Sequence, residues 1–439
     1  MDFSAFKPLP TGQSDFPGIR EDGAVYVDKT RLIAELACRR GRFFLARPRR
    51  FGKSLLISTF KALFEGRAEL FQGLEAEKLL PGIPRCPVLW IDFSRARDFE
   101  TVGEFKEFLD LLLCERAAAA GFTYEAKGTP EASFGRLLSE IAASGTRIAL
   151  LIDEYDSPLT SHLDSPELFN AVQRVLSRFY STVKSLDGAL QFLFITGITR
   201  FSHTSIFSAF NSLDDLTYRS RFSTLLGYTE EDLRAFFGEY LRNAAGILRM
   251  PENQLLDGLR RHYDGYCFDA SLRARVYAPW SVLKFLGAPE AGFKNYWYQS
   301  AGRPSALLSV LRASPLLSPE AYSKEIAVFE DRLSSAQDYA HIDPLAIFLQ
   351  AGCLTLKRRN PDGSFVLDCP NQEVNESIAW LFADELTNGN RARISGGLSA
   401  PAVLEKGGLG EAAQLILTRS AAAALRSGTK AAAARSCRS

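Results

Sequence analysis

A lysine and a serine at the start of a helical pattern have the spacing expected of a phosphate-binding loop. Lys53 and Ser54 follow Gly52, and the apolar run 43–46 before them has the length of a buried strand. Apolar residues then recur at helical spacing to Leu63. A strand, tight loop and helix in this order direct backbone N–H groups and the helix N-terminus at an anion. Lys53 would reach the β- and γ-phosphates of a nucleoside triphosphate, and the Ser54 hydroxyl would bind Mg²⁺.

The loop between this strand and helix is basic. Arg49, Arg50 and Phe51 complete, with Gly52, the segment whose backbone would surround the phosphates. The usual pattern has glycine where this chain has Arg47, because the turn needs unusual dihedral angles and close backbone approach. The alternative is a basic turn before an ordinary amphipathic helix, so a second motif is needed to decide.

Two consecutive acids provide that second motif. Asp153 and Glu154 follow five apolar residues, 148–152, which is typical of a strand covered on both faces in a parallel sheet. Ligands of open α/β sheets bind at the carboxyl ends of the strands. Asp153 would therefore hold Mg²⁺, and Glu154 would polarise the attacking water. The alternative is a strand that ends in a solvated acidic turn, but the two motifs together indicate an ATP-binding site.

A further apolar strand, 190–195, is expected beside the acidic one. Thr196 and Arg200 follow it, and a polar residue there could sense the γ-phosphate or orient water. The Arg200 guanidinium could also stabilise charge that develops on the γ-phosphoryl oxygens. It could instead be structural, in a salt bridge on the rim of the sheet, for which Asp156 is a candidate partner. The polar segment 201–217 has the composition of an active-site loop.

These elements predict an α/β fold in which a parallel sheet of the P-loop NTPase type carries helices on both faces. We expect this domain over residues 1–225, with the phosphate-loop strand near the acidic strand. A helical lid over 226–290 and an α+β region over 291–390 should follow, the latter with a hairpin around the turn 361–363. Residues 391–439 contain eight Lys or Arg, two Glu and no aromatic residue, so we expect a disordered tail.

Composition excludes several classes of protein. The 52 Lys and Arg against 51 Asp and Glu give no overall charge that would point to a partner. The seven cysteines include no C-x-x-C pair and are typical of reduced structural thiols. No run approaches about 18 consecutive apolar residues, and the N-terminus lacks the layout of a signal peptide. We therefore expect a cytoplasmic protein with no membrane partner.

The chain resembles the predicted AAA-ATPase-like family of bacteria and archaea over roughly residues 8–385. The segments that carry the resemblance are 26–30 (YVDKT), 47–54 (RPRRFGKS), 152–155 (IDEY), 196–200 (TGITR) with 207–213, 263–266 (YDGY) and 370–374 (PNQEV). The arginine-rich loop of this family also accounts for Arg47 in place of glycine. The resemblance implies a STAND-like ATPase that binds ATP and Mg²⁺. An unidentified protein is an expected partner, and a homo-oligomer is an open alternative.

The chain departs from the family in two places. Family members are commonly followed by a PD-(D/E)XK nuclease-like domain, which needs an Asp and then a Glu-x-Lys on the next strand. Residues 391–439 have no Asp and no such strand, so we interpret that domain as missing and the tail as a truncated or frame-shifted gene end. Ala278 also stands where the family more often has Asn.

Three functions remain open from the sequence. The first is an ATPase that hydrolyses or switches on ATP. The second is an interaction or scaffold protein that binds nucleotide and turns it over little, and Glu154 distinguishes these two. The third is nucleic-acid binding through Arg47, Arg49, Arg50 and Lys53. We rank it last, because those charges lie where the phosphates of a nucleotide should bind.

Overall fold

The computed structural model describes residues 6–200, 213–297, 326–333 and 343–378. Residues 201–212 of the expected active-site loop and the tail 391–439 lie outside this part of the chain. The elements up to the end of the large sheet are α1 (Phe16–Glu21), α2 (Thr30–Ala37), β1 (Arg42–Ala46), α3 (Lys53–Phe64), β2 (Val88–Asp92), α4 (Val102–Ala119), α5 (Pro130–Ala143), β3 (Ile148–Asp153), α6 (Ser157–Thr160), α7 (Pro166–Ser185), β4 (Leu190–Gly197) and β5 (Asp214–Asp215).

The five strands form one parallel sheet in the order β2-β3-β4-β1-β5. The predicted parallel sheet is therefore confirmed, as is the placement of β4 beside the acidic strand β3. The phosphate-loop strand β1 is not the neighbour of β3, because β4 lies between them and pairs with both. All five strands run in the same direction, so their carboxyl ends meet at one edge of the sheet.

Helices cover both faces of this sheet, because the strands alternate their side chains between two apolar cores. In β1, Phe43 and Leu45 pack into the core that contains α2 and α3. Phe44 and Ala46 point the other way, into the core of α4, α5 and α7. Every residue of β3 is buried, as expected of a strand with helices on both sides.

Three helices follow the sheet and share a third apolar core: α8 (Glu230–Leu248), α9 (Glu252–Tyr263) and α10 (Pro279–Gly287). The first begins at a capping box, in which Thr229 and Asp232 each accept a hydrogen bond from the other's backbone N–H. Asp232 also forms an ion pair with Lys29, which lies just before α2. This ion pair connects the helices to the segment that precedes the phosphate-loop strand.

The remaining described elements are β6 (Ile326–Val328), α11 (Pro344–Gln350), β7 (Thr355–Arg359), β8 (Phe365–Asp368) and a helical stretch over 372–378. The predicted hairpin is confirmed, since β7 and β8 pair in antiparallel fashion around the turn 361–363. The strand β6 was not predicted; it pairs with β8 and completes a three-stranded sheet. Within the described ranges, no helix combines the length and the apolar character needed to cross a membrane.

Candidate functional site

The loop 47–52 joins the carboxyl end of β1 to the first turn of α3. Arg50 and Gly52 both have a left-handed backbone, with φ of 66° and 95°, and Gly52 is the N-cap residue of α3. The first N–H groups of a helix, here those of Lys53 and Ser54, have no partner within the helix. They therefore point out of the helix N-terminus, where they can donate to an anion.

The side chain of Lys53 lies inside the loop. It is only 6% exposed and donates hydrogen bonds to the carbonyl oxygens of Arg47, at 3.1 Å, and Pro48, at 3.0 Å. Burial lowers the pKa of Lys53, while the carboxylates of Glu154 and Asp153 oppose this shift. The lysine thus holds the loop in a curved shape and faces the acidic end of β3.

The side chain of Arg47 is buried beneath the same loop. Its guanidinium donates hydrogen bonds to the carbonyl oxygens of Thr217, at 2.7 Å, and Phe222, at 3.3 Å, and lies 4.2 Å from the ring centroid of Phe268. Burial lowers the pKa of Arg47 to about 9, so the group still carries its charge at neutral pH. Where the usual pattern has glycine, this chain has an arginine whose buried guanidinium fixes the turn through these hydrogen bonds. Arg47 is therefore unavailable to a nucleic acid, which removes one of the four charges on which that function depended.

The other two arginines of the loop lie at the surface. Arg49 and Arg50 are both exposed, and the Arg50 guanidinium lies 4.0 Å from the ring centroid of Trp280, at the start of α10. These two side chains are therefore accessible to a phosphate, but Arg50 is also part of a contact with the helices that follow the sheet.

The side chain of Phe51 packs away from the loop, so this residue offers only its backbone to a ligand. Its ring contacts Tyr266 and Phe268 edge-on, at centroid distances of 4.9 and 5.4 Å. Tyr266 follows Gly265, whose φ is 98° and where a Cβ atom would lie 2.2 Å from the carbonyl oxygen of Pro370. Two segments of the family resemblance, 263–266 and 370–374, thus contact each other, and the first of them packs against Phe51 of the phosphate loop.

The carboxyl end of β3 brings Asp153 to the start of α3. Asp153 is 1% exposed, and burial raises the pKa of its carboxyl to about 6, although a hydrogen bond from the Ser54 side chain and the charge of Lys53 oppose the shift. One carboxylate oxygen also accepts the backbone N–H of Glu154 at 2.9 Å. The structure thus brings Lys53, Ser54 and Asp153 together, as the sequence predicted.

Glu154 adopts a left-handed backbone, with φ of 48°, which is uncommon for a residue other than glycine. Its carboxylate accepts a hydrogen bond from the Arg97 guanidinium at 2.7 Å, and Arg97 also donates to the Ser157 hydroxyl at 3.1 Å. Sequence reasoning missed Arg97. It lies in the loop after β2, which reaches Glu154 because Asp92 at the end of β2 pairs with Asp153.

Thr196 lies inside the sheet. It is fully buried, and its hydroxyl donates a hydrogen bond of 2.7 Å to the carbonyl oxygen of Leu45 in β1. The structure does not bring this hydroxyl to the open end of the loop, so a role in sensing the γ-phosphate stays a prediction without support from its contacts.

Arg200 forms an ion pair with Asp215 of β5, at 2.6 Å. The same guanidinium donates to the carbonyl oxygen of Leu333 at 3.4 Å, and the Arg200 backbone N–H donates to the Gln350 side chain at 2.9 Å. The structure thus connects Arg200 to the region after residue 325 rather than to Asp153 or Glu154. Its catalytic role stays a prediction.

The alternative of a structural salt bridge for Arg200 agrees with its ion pair to Asp215, but the candidate partner Asp156 is wrong. Asp156 is fully buried and accepts hydrogen bonds from the Thr199 backbone at 2.7 Å, the Thr199 hydroxyl at 2.6 Å and the Ile198 backbone at 3.2 Å. A Cβ atom at Gly197 would lie 2.3 Å from this carboxylate. Asp156 therefore anchors the turn after β4, and burial raises its pKa although these hydrogen bonds oppose the shift.

The sheet and the loop at its carboxyl edge define an α/β protein of the P-loop-like type. Residues 10–207 match the family described as predicted AAA-ATPase. Over 382 residues the chain is 35% identical to the uncharacterized protein in the vnfD 5′ region of Azotobacter chroococcum mcd 1, a match that covers 85% of this chain and 69% of that protein. The chain belongs to the predicted AAA-ATPase family.

Proposed function

We propose that this protein binds ATP with Mg²⁺ and hydrolyses it, or uses it as a switch. The observation that carries the proposal is the convergence of Lys53, Ser54 and Asp153 at one edge of the sheet. The N-terminus of α3 would bind the phosphates, because its N–H groups are positive and unpaired within the helix. The Lys53 ammonium would join them by exchanging its hydrogen bonds to the loop carbonyls for bonds to phosphate oxygens. Membership of the predicted AAA-ATPase family supports the same ligand.

The residues present fit a magnesium ion. Mg²⁺ prefers hard oxygen ligands and keeps several waters, so one hydroxyl and one carboxylate beside a phosphate suffice. Ser54 and Asp153 supply that pair, and the hydrogen bond between them would give way to shared binding of the ion. The ion, when bound, would offset negative charge on the β- and γ-phosphate oxygens.

In the proposed hydrolysis, Glu154 accepts a proton from the attacking water. The water oxygen bonds to the γ-phosphorus while the bond from that phosphorus to the β–γ bridging oxygen breaks, which yields ADP and phosphate. Lys53 balances charge on the phosphates throughout. Arg97 must release the Glu154 carboxylate, or share it, before the carboxylate can take the proton.

One observation favours a second function, a nucleotide-binding interaction protein with little turnover. The carboxylate of the proposed base is held by Arg97, which would lower turnover while nucleotide stays bound. In such a protein the bound nucleotide would stabilise one arrangement of the sheet and the helices α8–α10 for a protein partner.

Calorimetric titration with ATP and ADP, with and without Mg²⁺, tests nucleotide binding, which both functions require. We expect Mg²⁺-dependent binding of both nucleotides. Glu154→Gln then separates the two functions, because it keeps the shape of the side chain and removes the base. An ATPase should lose at least about a hundredfold in kcat with binding retained. Unchanged turnover in Glu154→Gln would contradict the hydrolytic role.

A further inference from the structure

The carboxylate of Glu373 lies inside the protein, where three segments of the chain meet. Glu373 is 1% exposed and belongs to the helical stretch 372–378. One of its oxygens accepts hydrogen bonds from the backbone N–H groups of Tyr296, at 2.7 Å, and Trp297, at 2.8 Å. The hydroxyl of Ser281, in the first turn of α10, donates to the carboxylate and lies 3.0 and 2.8 Å from its two oxygens. One side chain therefore joins the helical stretch, α10 and the segment that carries the two aromatic residues.

Hydrogen-bond donors, and not a cation, hold this carboxylate in the part of the chain that the structure describes. Glu376, on the same helical stretch, adds a charge of the same sign. Lys284, the charged residue of α10, places its ammonium group over an aromatic ring instead. Three phenols also face the carboxylate and are uncharged at neutral pH: Tyr263, Tyr266 and Tyr296. Burial raises the pKa of Glu373 to about 7, although its hydrogen bonds oppose the shift.

Both segments that Glu373 holds present a tryptophan to the phosphate loop. Trp280 directly precedes the serine of α10, and Trp297 supplies one of the N–H groups that the carboxylate accepts. The Arg50 guanidinium lies 4.0 Å from the Trp280 ring centroid, and the two tryptophans line one small cleft with Arg50. Arg50 also has a left-handed backbone, with φ of 66°, which is uncommon for a residue other than glycine. A displacement of α10 would therefore act on the loop at a residue whose conformation must be held by its surroundings.

We propose that Glu373 is a positioning residue for nucleotide binding, because it keeps Trp280 and Trp297 in the arrangement that holds Arg50 and the phosphate loop. This inference rests on the proposed function, since it assumes that the loop 47–52 binds phosphates. A glutamine could satisfy the same N–H and hydroxyl groups without a charge. Packing alone therefore does not call for a carboxylate at this position.

The buried carboxylate makes this arrangement sensitive to pH. Because the pKa of Glu373 is raised in the folded protein, its contribution to stability is complete below the ordinary pKa of a glutamate and is lost as the pH rises through about 7. The ionised carboxylate favours a minor state in which α10 moves away and water reaches the charge. Nucleotide affinity should therefore fall as the pH rises.

Titration with ADP and Mg²⁺ at about pH 6.5 and about pH 8.5 tests this inference in the wild type and in Glu373→Gln. Asp153 and the ADP phosphates titrate alike in both proteins, so the ratio of the two affinities isolates the effect of Glu373. The glutamine variant keeps the hydrogen bonds and should bind ADP tightly at both pH values. The wild-type affinity, relative to that of Glu373→Gln, should fall at least about threefold between the two pH values.

Two further variants test the route from Glu373 to the loop. Glu373→Ala removes the hydrogen-bond acceptors, and Trp280→Leu removes the contact with Arg50 without touching the carboxylate. Each should weaken ADP binding at least about tenfold at either pH. Glu131→Ala is the matched control, because Glu131 is a second buried carboxylate, 7% exposed, on α5 at the opposite face of the sheet from α3. It should lower stability and leave ADP affinity within about twofold.

The outcomes separate this inference from the proposed function. If the wild type binds ADP but the affinity ratio to Glu373→Gln is the same at both pH values, the inference is overturned and the proposed function stands. Unchanged ADP affinity in Trp280→Leu, or in a folded Glu373→Ala, would also overturn it, because Glu373 would then support the fold alone. If the wild type binds no ADP at either pH, the proposed function itself fails, and the inference fails with it.

Discussion

At the level of single residues, the candidate site places the ammonium group of Lys53 close to the carboxylates of Asp153 and Glu154. Lys53 is surrounded by loop carbonyls and faces Asp153 and Glu154, which offset the cost of burying its charge. Arg47 is buried in a similar way among carbonyl oxygens. Each of these side chains therefore stabilises the loop as well as preparing it for a ligand.

Lys53→Ala should abolish nucleotide binding and also lower stability. The carbonyls of Arg47 and Pro48 would lose their buried donor, which costs about 1–3 kcal/mol of unfolding free energy. Calorimetric titration measures the binding, and chemical denaturation followed by circular dichroism measures the stability. Lys61→Ala, in the last turn of the same helix and partly exposed, is the matched control and should leave binding unchanged. Retained nucleotide affinity in Lys53→Ala would contradict the role of this lysine.

Arg97→Ala should raise turnover. The ion pair with Glu154 is partly solvated, with side chains 43% and 25% exposed, so holding the carboxylate is worth at most about 1 kcal/mol. We therefore expect kcat to rise by up to about fivefold with little change in KM. Arg95→Ala, an exposed arginine in the same loop, should leave kcat unchanged. A fall in kcat for Arg97→Ala would show instead that Arg97 positions Glu154 productively.

At the level of elements, the order of the strands decides which residues meet. Local patterns were sufficient to predict β1, β3 and their loops, because a continuous apolar run followed by Gly-Lys-Ser or Asp-Glu marks each one. They could not predict that β4 lies between β1 and β3, or that β5 lies beyond β1, since pairing depends on contacts distant in sequence. Arg97 and Asp215 were missed for this reason: each reaches its partner only through the order of the sheet.

The ion pair between Arg200 and Asp215 should be structural. Its side chains are 12% and 22% exposed, so removing one partner strands a largely buried charge, at a cost of about 3 kcal/mol of unfolding free energy. We expect Arg200→Ala and Asp215→Asn each to lower stability, and the double variant to lose much less than their sum. Turnover per folded molecule should stay near the wild-type value. A fall of about a hundredfold in kcat for Arg200→Ala alone, with ATP affinity unchanged, would return Arg200 to the catalytic residues.

At the level of the whole molecule, the region around residue 352 packs against the phosphate loop, which lies about 300 residues earlier in the chain. The side chain of Pro48 lies against Gly352, at the turn between α11 and β7, and residues of that region share the apolar core of α3. Pro48 also provides one of the two carbonyl oxygens that hold Lys53. A displacement of the backbone at Gly352 would therefore move Pro48, and with it the carbonyl oxygen that holds the Lys53 ammonium group.

Gly352→Ala and Gly363→Ala together measure this coupling. Both glycines have a left-handed backbone, with φ of 83° and 88°, so alanine adds strain of about 1–2 kcal/mol at either position. They differ in their surroundings: a Cβ atom at Gly352 would lie 2.9 Å from Pro48, whereas one at Gly363 would have no neighbour within 4 Å. Denaturation should therefore show a loss of stability in both variants. Titration with ADP should show weaker binding, by roughly tenfold, only in Gly352→Ala, because a displaced Pro48 moves the carbonyl that holds Lys53. Equal ADP affinity in the two variants would mean that the region after residue 343 supports the fold without acting on the loop.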